Sequence, residues 1–172
     1  MQPMEMSFDY SLDFKSIDFR CSPELYRVGK GEQGLLLVEP YKSEILPYWR
    51  FKTPEIARES SEKIYSMFLD YLHQDDFVGA DMARKFLQMG YTRSRRYANH
   101  KSGRKYKKNP QKESSKEAQA KARQDILPNE VDPIKAECAE IFKEKWMQAK
   151  RNEKYLQLLK KNKEMYEQKQ VD

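Results

Sequence analysis

From Phe8 to Phe14 the chain alternates, with Phe8, Tyr10, Leu12 and Phe14 set against Asp9, Ser11 and Asp13. A period of two is that of a half-buried strand, and an extended arm laid across a helical body would read the same way. Turn residues follow at Ser22-Pro23 and through Gly29-Lys30-Gly31-Glu32-Gln33-Gly34. The apolar run Leu35 to Val38, closed by Pro40, predicts a second strand pairing with residues just before the glycine turn. Tyr41 to Lys52 then gathers Tyr48, Trp49 and Phe51, a lid for the core.

The period changes at Thr53. Thr53 suits an N-cap, Pro54 the first helical position and Glu55 the positive end of the helix dipole. Ile56, Ser60, Ile64, Met67, Phe68, Tyr71 and Leu72 recur at steps of three and four, which predicts a helix to about His73. A second helix begins at Asp75-Asp76, turns Phe77, Val78, Met82, Phe86 and Leu87 inward, and ends at Gly90 as a C-cap, making an antiparallel hairpin. Thr92 to Lys101 permits a further helix, bounded by Gly103 and Pro110. Ser114 and Glu117 form a capping box for an alanine-rich polar helix to Ile126. Asp132-Pro133 opens a long C-terminal helix with Ile134, Cys138, Ile141, Phe142, Ala149, Leu156, Leu159 and Tyr166 near one stripe. Lys145 and Asn152 interrupt that stripe, which argues against a coiled coil.

Composition tempers this picture. Only 38% of the 172 residues are hydrophobic and 35% are charged, with a mean hydropathy of −1.00, so the core must lean on eight Phe, eleven Tyr and two Trp. No apolar run approaches the ~20 residues that cross a bilayer, and Met1 to Arg20 lacks the apolar stretch of a secretory signal. Cys21 and Cys138 suggest neither a disulfide framework nor a zinc site, so the expected setting is cytoplasmic, with no membrane partner and no cofactor.

The net charge of +6 is local. Met82 to Lys112 holds eleven Lys or Arg and no acid, which leaves −5 for the rest of the chain. Within it, Arg93, Arg96, Tyr97 and His100 would share one face of a helix, with Arg95, Asn99, Arg104 and Lys105 close by. Guanidinium forks match phosphate oxygens, and a phenol can stack on a base or reach a phosphate. These eight residues are therefore the candidate ligand contacts, and a nucleic acid or phosphorylated ligand is the expected partner. The alternatives are a solvated basic face tied to the acidic remainder of the chain, and docking on an acidic protein. A further alternative is an enzyme acting on a phosphorylated nucleotide or sugar. His100 would then be acid or base, the arginines oxyanion clamps, and Glu39 or Asp81 the carboxylate beside the imidazole.

Other motifs carry less. Gly29 to Gly34 spells G-x-G-x-x-G, but a strand rather than a helix is expected after it, so a turn is the simpler explanation. Asp75-Asp76 reads as a helix cap. Tyr48-Trp49-Arg50-Phe51-Lys52 mixes rings with cations, and core packing is the simpler account beside a stacking platform.

Phe8-Asp9-Tyr10, Pro23 to Arg27, Gly29 to Gly34, Val38 to Lys42, Trp49-Arg50-Phe51 and above all Tyr91 to Tyr106 resemble the domain-of-unknown-function family 4385 over about residues 7–166. The resemblance implies a small, stand-alone cytoplasmic protein of microbes, fungi or phages, and it brings no assigned activity or catalytic residue. The expectation is one α+β domain over residues 7–166, mostly helical, between flexible termini 1–6 and 167–172. It would comprise a small strand-containing N-terminal part, a helical hairpin and the long C-terminal helix.

Overall fold

The computed structural model describes residues 6–100, 106–127 and 131–168. Most of these residues are helical. Three long helices form the body: α2 (Pro54–His73), α3 (Phe77–Asn99) and α5 (Pro133–Arg151). A five-residue helix α1 (Tyr41–Ile45) precedes them, α4 (Lys116–Gln124) lies between α3 and α5, and α6 (Glu153–Asn162) follows.

Local chemistry sets the ends of each long helix. Thr53 Oγ1 accepts from Ile56 N at 3.2 Å, and Pro54 occupies the first turn. Asp76 accepts from Gly79 N at 3.0 Å to open α3, after a link whose Asp75 takes a positive φ of 54°. Asp132 accepts from Ile134 N at 2.9 Å to open α5. It also fixes the direction of α5, because its own N–H donates to the Ala98 carbonyl at the end of α3 at 2.8 Å. α5 therefore runs back along α3.

α3 is the central rod. Every residue from Phe77 to Leu87 is buried, so this helix has partners on all sides. Two sides are taken by α2 and α5, and Tyr155 of α6 reaches its N-terminal half. The remaining side belongs to the N-terminal segment, which crosses it with three short 3-10 turns and α1. A continuous run of ring contacts, Phe8, Phe14, Phe19, Tyr26, Phe77, Tyr155 and Phe68, carries the core from that segment through α3 to α6 and α2. Large rings thus do the filling that a lean apolar composition leaves undone.

The strand-containing part is not seen: the described residues hold no strand, only an isolated bridge between Tyr106 and Ile126. The expected α+β class is therefore corrected to a helical one. Phe8 to Phe14 is the arm across a helical body, because no sheet edge stands near it and its rings find their burial against other rings instead. At Leu35 to Val38 the outer two residues are buried and Leu36 and Leu37 exposed, a spacing of three set by the bond from Leu37 N to Gly34 O at 3.0 Å. Gly34 has a φ of +77°, and a Cβ there would lie 1.9 Å from the Phe8 ring, so the ring rests directly on the glycine.

Three further boundaries move. Gly90 lies inside α3, where a Cβ would stand 2.2 Å from the Phe142 ring. It permits close approach of α5 instead of ending a helix, and α3 runs on through the expected separate segment to Asn99. The long C-terminal helix is broken at Asn152, whose extended backbone ends α5 and whose Oδ1 accepts from Tyr155 N at 3.0 Å to begin α6. The cap of α4 is Ser115 rather than Ser114, accepting from Ala118 N at 3.0 Å. The expected flexible termini lie mostly outside the described residues. Within them, Met6 N donates to Glu167 O at 3.2 Å, and the Glu167 side chain is buried.

Candidate nucleic-acid interface

The basic segment divides along α3. Arg84 and Lys85, two of its eleven cations, are 7% and 0% exposed, and between them and Tyr155 sits Asp81, also 0% exposed. Asp81 accepts from Tyr26 OH, from Tyr155 OH at 2.7 Å, and from Arg84 Nε and Nη2 at 3.0 and 2.7 Å. Four donors fill a carboxylate, so nothing remains for a ligand. Burial pushes this carboxyl up, but Arg84, Lys85 and the two phenols outweigh it and hold Asp81 below the ordinary carboxylate range.

Arg84 also donates to Gly31 O at 2.6 Å and to Gln88 Oε1 at 2.8 Å, and Lys85 Nζ donates to Gln33 O at 2.7 Å. The glycine loop is thereby latched onto α3. Lys85 is less well served, since Asp81 is 4.0 Å away and the Tyr26 and Phe8 rings lie 4.8 and 5.4 Å off. Burial accordingly lowers its amine to about 8. Glu167, taking weak 3.4 Å bonds from Val28 N and Asn162 Nδ2, brings a second buried carboxylate whose charge favours the Lys85 ammonium.

The last two turns of α3 differ. Arg93 and Arg96 are exposed, Arg95, Tyr97 and Asn99 half-buried, and His100 is 7% exposed. Arg104 and Lys105 lie outside the described residues. No ion pair within 4 Å engages Arg93, Arg95 or Arg96 among the described residues. Arg93 and Arg96 act electrostatically on Glu32, on the latched loop, which accepts from Thr92 Oγ1 at 3.1 Å. Burial raises the Glu32 carboxyl, and Arg93, Arg84 and Arg96 oppose that rise.

Tyr97 turns away from Glu32 toward Phe51, ring centroids 5.8 Å apart and planes tilted by 47°. Beside the two rings is a shallow hollow of about 280 Å³ lined by Arg50, Phe51, Lys52, Tyr97 and Lys135. Lys135 braces it, donating to the carbonyls of Phe51 and Lys52 at 2.8 and 2.9 Å. Of the candidate contacts, the fold thus keeps Arg93, Arg96 and Tyr97 accessible and takes His100 inside, its Nδ1 without a hydrogen-bond partner among the described residues. It adds Arg50, Phe51, Lys52 and Lys135. The Arg50-Phe51-Lys52 run carried the signal for three of these; Lys135 and Glu32 had none.

Neither carboxylate considered for catalysis stands by His100. Asp81 is nineteen residues back along α3, ~28 Å at helical rise. Glu39 is spent at α1, taking Ser43 N at 3.2 Å and pairing with Lys42 at 3.8 Å. A larger hollow of about 600 Å³ lies at the opposite end of α3, lined by residues that include Arg20, Tyr41, Asp75 and Asp76. These four already have partners: Asp76 accepts from Tyr41 OH at 2.7 Å, Asp75 pairs with Lys154 at 3.0 Å and Arg20 with Glu44 at 2.7 Å. Among the described residues no cluster of three or more His, Cys, Asp or Glu is arranged to hold a metal, and no helix is long and apolar enough to cross a membrane.

In comparison with known proteins, residues 9–165 match the model of a family described as a domain of unknown function (DUF4385). No curated protein and no solved structure matches.

Proposed function

The chain belongs to the DUF4385 family, whose description names no activity, and from its own residues we propose that it binds nucleic acid or a similar polyphosphate through the end of α3. The observation that carries this is the pair Arg93 and Arg96, exposed and free of close ion pairs among the described residues on a helix held rigid at its other end. Solvent-exposed guanidinium groups without a carboxylate to satisfy them are suited to phosphate oxygens. The neighbouring hollow adds Arg50, Lys52 and Lys135 and, among the described residues, no acid. In sequence the cations continue through Lys101, Arg104 and Lys105. Such a surface binds mainly through the phosphate backbone and the counterions it releases.

The test is a titration of labelled single-stranded and duplex oligonucleotides at about 50 and about 200 mM salt. Binding should weaken steeply with salt, and Arg93→Ala with Arg96→Ala should reduce the logarithmic salt slope by about two. Salt-insensitive binding, or full affinity in the double variant, would exclude this face as the binding site. Partners that remain in pull-downs after nuclease treatment would point instead to an acidic protein.

A further inference from the structure

We infer that the preferred ligand is single-stranded, with one unpaired base seated in the hollow beside Tyr97. This rests on the polyanion reading above and goes further by assigning a part of the ligand to a part of the surface.

The hollow is built for a flat, uncharged group next to a charged chain. Its walls are two rings set at 47°, which diverge instead of covering each other face to face. The Phe51 ring is already occupied: the Lys135 ammonium lies 5.1 Å over it, and Trp49 meets it edge-on at 5.0 Å. Among the described residues Tyr97 has only the tilted contact with Phe51, and its hydroxyl makes no hydrogen bond. It is the ring with an open side. At about 280 Å³ the hollow is below the ~300–1,000 Å³ of pockets that enclose drug-sized ligands. It has room for one ring system, not a whole nucleotide.

Among the described residues, the charged groups lining the hollow are all cations. Arg50 and Lys52 are exposed and have no ion pair within 4 Å among the described residues, and no acid lines the hollow. Arg93 lies four residues before Tyr97, ~6 Å along the same side of the helix, within reach of a phosphate flanking the seated base. The two lysine bonds from Lys135 to the Phe51 and Lys52 carbonyls fix the outer wall to α5, so the site needs no rearrangement to form. A duplex keeps its base faces stacked internally and could offer this hollow only phosphates. A single strand offers open faces, and stacking on an aromatic side chain is tolerant of sequence.

The experiment compares a single-stranded oligonucleotide, its duplex, and an abasic strand of equal length by fluorescence anisotropy. Wild-type protein should prefer the single strand to either of the others by about tenfold. Tyr97→Leu should abolish that preference without weakening binding to the abasic strand, and Tyr97→Phe should retain it. Should Tyr97→Leu prove misfolded by circular dichroism, the wild-type protein is titrated with a strand carrying a single 2-aminopurine, whose emission falls on stacking; unchanged emission on binding overturns the inference. Equal affinity for all three probes, with Arg93→Ala and Arg96→Ala still weakening each, also overturns the inference while leaving phosphate binding in place. Failure to bind any of the three overturns both.

Discussion

Replacing Asp81 with asparagine tests the buried half of α3. The carboxylate takes Tyr155 OH and both Arg84 donors on Oδ1, and Tyr26 OH on Oδ2, with Lys85 Nζ 4.0 Å from Oδ2. An amide must place its NH2 on one of these sides, donor against donor, and it removes the charge between two buried cations. Removing one partner of a buried ion pair costs about 3–5 kcal/mol. Against a total stability of ~5–15 kcal/mol for an ordinary domain, that is a large fraction. For a chain of this length each kcal/mol lowers Tm by about 2–4 °C, so the expected fall is ~6–20 °C. Urea unfolding followed by far-UV circular dichroism should show a lower midpoint at unchanged slope. Lys85→Met in the Asp81→Asn background should recover part of the loss, because it removes a buried ammonium left with only the Glu167 carboxylate to offset it. A loss below about 1 kcal/mol, or a double-mutant cycle that is simply additive, would refute the view that these charges act as one unit.

Gly90→Ala gains up to ~1 kcal/mol of helix propensity but drives a methyl into the Phe142 ring at 2.2 Å, and overpacking of ~1–3 kcal/mol should win; a raised urea midpoint would count against that contact. Glu32→Gln removes an acid that interacts with Arg93 and Arg96 and should raise polyanion affinity by about two- to fivefold at low salt, with the gain fading as salt rises; an unchanged affinity in anisotropy would show that phosphates do not approach these arginines. Stability should rise with pH between about 8, the folded value for Lys85, and its unfolded value near ~10.4, because the unfolded chain holds more protons across that window. Above about 10 it should fall, since burial raises Tyr26, Tyr41, Tyr71 and Tyr155 and unfolded phenols release their protons first. Urea midpoints from pH 7 to 11 should therefore peak near ~9–10, and Lys85→Met should lose the rise and keep the fall; a wild-type curve without the rise would refute it.

The helices were legible where local chemistry decides them. Thr53-Pro54, Asp76 and Asp132-Pro133 announce three N-termini, and each caps in the way its side chain allows. What escaped was decided at a distance. Gly90 carries the local mark of a helix end, yet its role comes from Phe142, fifty-two residues on. Phe8 to Phe14 has a strand's period, but a period of two becomes a strand only where an edge exists to pair with, and here the neighbours are rings. Arg84 and Lys85 counted as surface charge because the acid that neutralises them, Asp81, falls one residue before the acid-free stretch, and the phenols that share it come from residues 26 and 155.

The burial of these two cations shows how a lean chain can brace its exposed basic turns. Buried, the Asp81, Arg84 and Lys85 cluster ties three separate segments to α3: the Tyr26 turn, the glycine loop through the Gly31 and Gln33 carbonyls, and α6 through Tyr155. The same glycine loop carries Glu32 up to Thr92, at the start of the exposed basic turns. A disturbance of the buried cluster therefore reaches the surface by one route, the placement of Glu32, while the Phe51 wall is held separately by Lys135 of α5. Asp81→Asn should accordingly alter the salt-sensitive backbone affinity governed by Arg93 and Arg96 and leave the single-strand preference governed by Tyr97 unchanged, measured at a temperature where the variant is folded. Coupled loss of both would mean that the two walls are positioned together, through α3 itself.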